Sequence, residues 1–112
     1  MHEKQVEIGY LLDFYGELLN ERKRGVLDLY YNEDMSLSEI ASDFGITRQG
    51  VLDLIKKGGS ELLTYEEKLG VARKFRVISE KVAQIQEMVV SPEDKKAEIS
   101  SLLMQITETM KD

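Results

Sequence analysis

The chain has 112 residues, no cysteine, a single histidine and a single proline. Without thiols there is no disulfide framework, no thiolate metal site and no cysteine nucleophile. The one imidazole, His2, sits at the extreme N-terminus, which removes histidine-based triads and histidine-ligated metals. No apolar run approaches the roughly 20 residues that cross a bilayer, and no signal-peptide pattern opens the chain. Metal-ligand spacing, a glycine-rich phosphate loop and a nucleophile paired with a base are all missing. The expectation is a cytoplasmic, non-enzymatic protein with no catalytic residue, metal, cofactor or membrane insertion. What the sequence does hold is 42% hydrophobic and 32% charged residues, the balance of one soluble, helix-rich domain.

The formal net charge is −6, which argues against a surface built to grip nucleic acid everywhere. Residues 1–46 hold four Lys and Arg against ten Asp and Glu, and residues 60–112 hold eight against ten. Only residues 47–59 are positive, with Arg48, Lys56 and Lys57 against Asp53. Two further basic clusters, Arg22-Lys23-Arg24 and Arg73-Lys74-Arg76, interrupt the acidic background. Each reads first as a solvated helix face and second as a phosphate contact.

Val6, Tyr10, Leu11, Phe14, Leu18 and Leu19 recur at helical spacing and predict a helix from about Lys4 to Leu19, with Gly16 its weak point. Asn20 offers the N-cap of a second helix that reaches about Tyr31. Ser36-Leu37-Ser38-Glu39 is a capping box, opening a short helix with Leu37, Ile40, Ala41 and Phe44 on one face. Gly45 stops it, and Thr47 caps a helix carrying Val51, Leu52, Leu54 and Ile55, with Lys56 and Lys57 near its negative end. Gly58-Gly59 ends or loosens that helix. From Leu62 to Val89 apolar residues step by threes and fours, predicting one long helix. Ser91-Pro92-Glu93-Asp94 then starts a last helix with Ile99, Leu102, Leu103, Ile106 and Met110 inward. The fold class is all-α: a helix-turn-helix head over residues 1–59, followed by an antiparallel hairpin over residues 60–112 that packs on it as one domain.

Residues 37–57 have the spacing of a helix-turn-helix. Ala41 sits at the crossing, Gly45 in the turn, Ile46 beneath it, and Val51 and Leu54 anchor the second helix. Thr47, Arg48, Gln49, Asp53, Lys56 and Lys57 are left outward, on the helix that would enter a major groove. Thr47 and the helix N-terminus can meet a phosphate, Arg48 and Gln49 can reach base edges, and Lys56 and Lys57 can hold backbone. Arg22 and Lys23 add candidate phosphate or RNA contacts. Asp53, Leu52 and Gly50 point the other way, towards a helix-turn-helix kept for packing or protein contact.

Asn20-Glu21-Arg22-Lys23-Arg24, Val26-Leu27-Asp28-Leu29-Tyr30-Tyr31 and Ser36-Leu37-Ser38-Glu39-Ile40-Ala41 resemble region 4 of bacterial sigma factors. More closely, the chain resembles the YlxM family of small helix-turn-helix proteins, the UPF0122 type. That match includes Phe14-Tyr15-Gly16-Glu17-Leu18-Leu19, Arg48-Gln49-Gly50-Val51, Leu62-Leu63 and Tyr65-Glu66-Glu67-Lys68-Leu69. The resemblance implies a sigma-like head with a helical extension and a regulatory part in the signal recognition particle pathway. The implied partners are DNA, or the particle's GTPase and RNA. Gly50 stands where alanine is usual, Leu52 where tyrosine is usual, and Gly58-Gly59-Ser60 replaces a polar, helix-favouring stretch. These departures lead us to expect a recognition helix uncoupled from the long helix after it.

Two functional readings follow: an adaptor or regulator of the particle's GTPase or RNA, and a small DNA-binding transcriptional regulator using the 47–57 helix. The long stripe also exceeds what the last helix covers, since about 30 residues span some 45 Å against roughly 29 Å. A homodimer is therefore expected, with Leu69, Phe75, Ile78 and Val82 near the contact.

Overall fold

The structure is a computed structural model that describes residues 6–112, and the expected helix start at Lys4 lies outside them. Among these residues the elements are all helices: α1 Val6–Tyr15, α2 Glu21–Tyr31, α3 Leu37–Phe44, α4 Arg48–Leu69, α5 Val71–Val89 and α6 Lys96–Lys111. The all-α class is what the periodicity predicts. Gly16 acts as its low helix propensity suggests, since α1 gives way there to a single 3-10 turn, Gly16–Leu18. Asn20 caps α2 by accepting from the Lys23 backbone N–H at 2.8 Å.

The helices form two compact units, one ending at Gly70 and the other running Val71–Asp112. In the first, α1, α2 and α3 all pack on α4. Leu11, Val26, Leu27, Ile40, Val51 and Leu62 are almost wholly removed from water there. Tyr15, also buried, donates its hydroxyl proton to Glu66 Oε1 at 2.6 Å and so ties α1 to the far half of α4.

Gly58 and Gly59 do not end a helix, which corrects the expected break and the expected uncoupling. They lie in the middle of the 22-residue α4, both buried. A Cβ at position 58 would come within 2.7 Å of Leu27 Cδ1, closer than carbon atoms pack. Glycine is there because α2 crosses α4 at that level. Its propensity cost of about 1 kcal/mol is outweighed by the packing it permits.

The long helix breaks instead at Gly70, whose φ of 63° is left-handed and whose N–H bonds to the Glu66 carbonyl at 2.8 Å. The chain therefore divides at Gly70 rather than after residue 59. In the second unit α5 and α6 pair as a hairpin. Lys81 Nζ donates to Gln105 Oε1 at 2.7 Å, and Lys74 Nζ to the Asp112 carbonyl, which sets an antiparallel register. The last helix starts at Lys96, four residues beyond Pro92. Ser91 Oγ accepts from the Glu93 N–H and Asp94 Oδ1 from the Lys96 N–H, so the expected cap residues build two local turns ahead of the helix.

Gly59 tests the assignment against Gly58, because a Cβ at 59 would meet Ile8 at an ordinary 3.7 Å. Gly59→Ala should raise stability by up to about 1 kcal/mol. Gly58→Val should lower it by about 1–3 kcal/mol through overpacking. Urea denaturation followed by circular dichroism measures both, and equal effects at the two sites would contradict the crossing.

Candidate nucleic-acid and partner interface

The helix-turn-helix is assembled by local bonds that the sequence encodes. Ser36 Oγ accepts from the Glu39 N–H at 3.1 Å while Glu39 Oε1 accepts from the Ser36 N–H at 2.9 Å, a complete capping box at the start of α3. At its end Gly45 takes φ 64°, and the Ile46 N–H bonds back to the Ala41 carbonyl at 3.0 Å. Thr47 then caps α4, its Oγ1 accepting from the Gly50 N–H at 2.9 Å. Gly50 lies in the unbroken first turn of α4.

Beneath the turn Val26, Ile40, Ala41, Val51 and Ile55 form one buried cluster, with Leu37, Phe44, Ile46 and Leu54 packed against it. Tyr30 belongs to that margin, and its ring meets Tyr31 edge-to-face at 5.0 Å. Burial, and then the neighbouring Tyr30, push the Tyr31 hydroxyl above its ordinary pKa, so Tyr31 stays neutral. These rings are wall, not stacking platform.

The candidate recognition residues Thr47, Arg48, Gln49, Lys56 and Lys57 are all exposed on α4. Three have charges with no ion-pair or hydrogen-bond partner among the described residues: Arg48, Lys56 and Lys57. The other two are engaged. Thr47 uses its hydroxyl oxygen for the cap, and Gln49 Nε2 donates to Asp53 Oδ1 at 3.1 Å. Because α4 continues to Leu69, Lys56 and Lys57 lie mid-helix rather than at its negative end. Their charges therefore face no helix terminus, and Asp53 stands one turn before them.

Of the Arg22-Lys23-Arg24 cluster, Lys23 is turned to internal use. Lys23 Nζ pairs with Glu61 Oε2 on α4 at 2.6 Å, both partly shielded. Arg24 lines a shallow groove of about 760 Å³ between α1 and α2, together with Asp13, Glu17, Glu21 and Asp28. Arg22 and Arg24 are both exposed, with no side-chain partner among the described residues. Sequence reasoning missed Glu61 and Glu66, the carboxylates that take up Lys23 and Tyr15. Nothing local marks them, since their partners are 38 and 51 positions away. Among the described residues no cluster of His, Asp and Glu is placed to hold a metal ion. Nor is any helix among these residues long and apolar enough to cross a membrane.

A helix-turn-helix with this cap, turn and core is matched by known proteins across its whole length. Residues 2–102 match the family described as "UPF0122: Putative helix-turn-helix protein, YlxM / p13 like". The chain belongs to this family. A UPF0122 protein of Clostridium kluyveri is 44% identical over 98 residues, covering 87% of this chain and 88% of the relative. One from Halalkalibacterium halodurans is 43% identical over 110 residues, covering 98% and 96%. One from Bacillus cereus is 38% identical over 103 residues, covering 92% and 94%.

The capping box makes a pH-dependent contribution whose sign is fixed. The hydrogen bonds from the Ser36 backbone and side chain pull the Glu39 carboxyl below its ordinary value. A depressed folded-state pKa means stability that is full above the unfolded value and lost as pH falls through the folded one. The stability difference between the wild type and Glu39→Gln should therefore be present at pH 7 and close below about pH 4. Ser36→Ala should cost about 1 kcal/mol at neutral pH. Thermal melts across pH 3–7 check both.

Proposed function

We propose that this chain is a non-enzymatic regulatory protein of the signal recognition particle pathway, acting as an adaptor on the particle's GTPase. The observation that carries this reading is the electrostatics of the helix-turn-helix unit. Residues 1–70 hold eight basic against fourteen acidic residues, a balance of −6, and the second unit holds seven of each. Lys23 is already neutralised by Glu61, and Gln49 is held by Asp53. A polyanion would meet scattered unpaired cations, Arg48, Lys56, Lys57 and Lys68 on α4 and Arg22 and Arg24 on α2, within an acidic body, whereas a basic protein surface would meet mostly carboxylates. The pathway itself rests on the family resemblance.

A DNA-binding reading keeps one specific observation in its favour. Arg48 stands exposed in the first turn of a capped helix, where a base edge or phosphate would be reached. With Arg48, Lys56 and Lys57 as its only phosphate contacts, the log–log salt slope should be no steeper than about −3, or roughly a 40-fold loss between 50 and 200 mM.

The two readings separate in one experiment. Fluorescence anisotropy measures binding to the purified GTPase, with and without the particle RNA, and to a labelled random duplex at low salt. Binding to the GTPase that survives Arg48→Ala/Gln49→Ala, with no duplex bound, is the expected result. Duplex binding abolished by that double substitution, with no affinity for the GTPase, would overturn it. In the same assay Asp53→Asn should raise any residual duplex affinity by roughly 2–5-fold, because it removes an exposed carboxylate from the phosphate side.

A further inference from the structure

The groove between α1 and α2 gathers charge of one sign from three elements. Asp13 comes from the last turn of α1, Glu17 from the 3-10 turn after it, and Glu21 and Asp28 from α2. All four are exposed. Only Asp28 has a side-chain partner among the described residues, Asn32, whose Nδ2 donates to Oδ1 at 2.6 Å. Arg24 is the one cation among the lining residues. Because α1 ends at Tyr15, the negative end of its dipole adds to the same side.

Between these charges little fills the space. Leu12 is buried in the wall, and two glycines, at 16 and 25, put no side chain into the middle of the groove. The open volume of about 760 Å³ is in the range that receives a bound molecule, well beyond one ion. A cleft lined by one sign focuses the field and concentrates opposite charge, which the same residues spread over a convex surface would not do. No residue of α3 or α4 lines it, so this surface is separate from the helix-turn-helix.

We infer that the groove docks a basic segment of a partner protein, whose lysine and arginine side chains enter between α1 and α2. Charge complementarity selects this occupant. Four carboxylates against one guanidinium repel a phosphate backbone and attract ammonium and guanidinium groups. Glu21 and Asp28 are seven residues apart, about 10 Å along α2, so one cation cannot serve both. A segment carrying cations on successive turns can. A second copy of the chain is a poorer match, since residues 1–70 carry a balance of −6. None of the residues expected at a dimer contact lines the groove: Leu69 ends α4, and Phe75, Ile78 and Val82 lie on α5. The identity of the partner rests on the adaptor reading, while the groove and its preference do not.

Fluorescence anisotropy of the full chain with a labelled peptide, bearing lysine or arginine at every third or fourth position, tests the inference at about 50 mM salt. The wild type should bind. Asp13→Asn/Glu17→Gln should weaken binding roughly 5–10-fold, and Glu7→Gln/Glu67→Gln, exposed carboxylates outside the groove, less than about 2-fold. Arg24→Gln removes the groove's own cation and should tighten binding roughly 2–5-fold. No binding overturns the inference, as do equal losses from the two double substitutions or weaker binding by Arg24→Gln. A doubled mass in light scattering that Asp13→Asn/Glu17→Gln abolishes would make a second copy the occupant and overturn it too. Peptide binding with these signs but no affinity for the GTPase supports the groove and refutes the adaptor reading. Affinity for the GTPase that Asp13→Asn/Glu17→Gln leaves intact refutes the groove and keeps that reading.

Discussion

The first unit depends on how closely α2 can lie on α4, and that distance is set by an absent methyl group. Leu27 Cδ1 occupies the space a Cβ of residue 58 would fill. Holding α2 at that distance brings Val26 against Val51, Ile55 and Ile40, the cluster on which the helix-turn-helix rests. A crossing even slightly wider would leave that cluster with voids, and interiors tolerate few of them. Gly58 thus fixes the seat of the turn while touching none of its residues.

α4 has a different task at each end. Its first turn presents Arg48 from a threonine cap, its middle is core, and its last turns receive the Tyr15 hydroxyl at Glu66. Much of its polar equipment is used within the fold: Glu61 takes Lys23, and Asp53 takes Gln49. Surface contacts of this kind contribute little to stability, on the order of 0.5 kcal/mol each. Their larger effect is on availability, because a side chain held by a neighbour must be released before it can meet a ligand.

Features decided within a few residues were legible in the sequence. The caps at Asn20, Ser36 and Thr47, and the stop at Gly45, each depend on a side chain or φ angle acting on backbone at most five positions away. The features that misled were decided by distant partners. Gly58-Gly59 looks like a helix end because propensity is a local quantity, and Leu27, 31 positions back, overrides it. The stepping of apolar residues passes through Gly70 without a fault, so periodicity could not mark the helix end that the left-handed residue makes. The Ser91-Pro92-Glu93-Asp94 start signal was right in kind and early by four residues, since its hydrogen bonds close turns before the helix begins. At the candidate interface the outward residues were identified correctly, while their pairing was not. Gln49 and Asp53 are four apart on one helix, a spacing at which side chains meet.

The unequal division of charge also governs how fast partners arrive. An acidic first unit generates a field that falls off over about 8 Å at physiological salt, repelling polyanions and drawing in cationic surfaces before any contact forms. Encounters with nucleic acid would then proceed without steering, at or below the roughly 10⁵–10⁶ M⁻¹s⁻¹ of neutral pairs, and would quicken as salt is added. Encounters with a basic protein would show the opposite dependence. The same fourteen carboxylates that surround the exposed cations of α4 therefore sort potential partners by the speed of their approach.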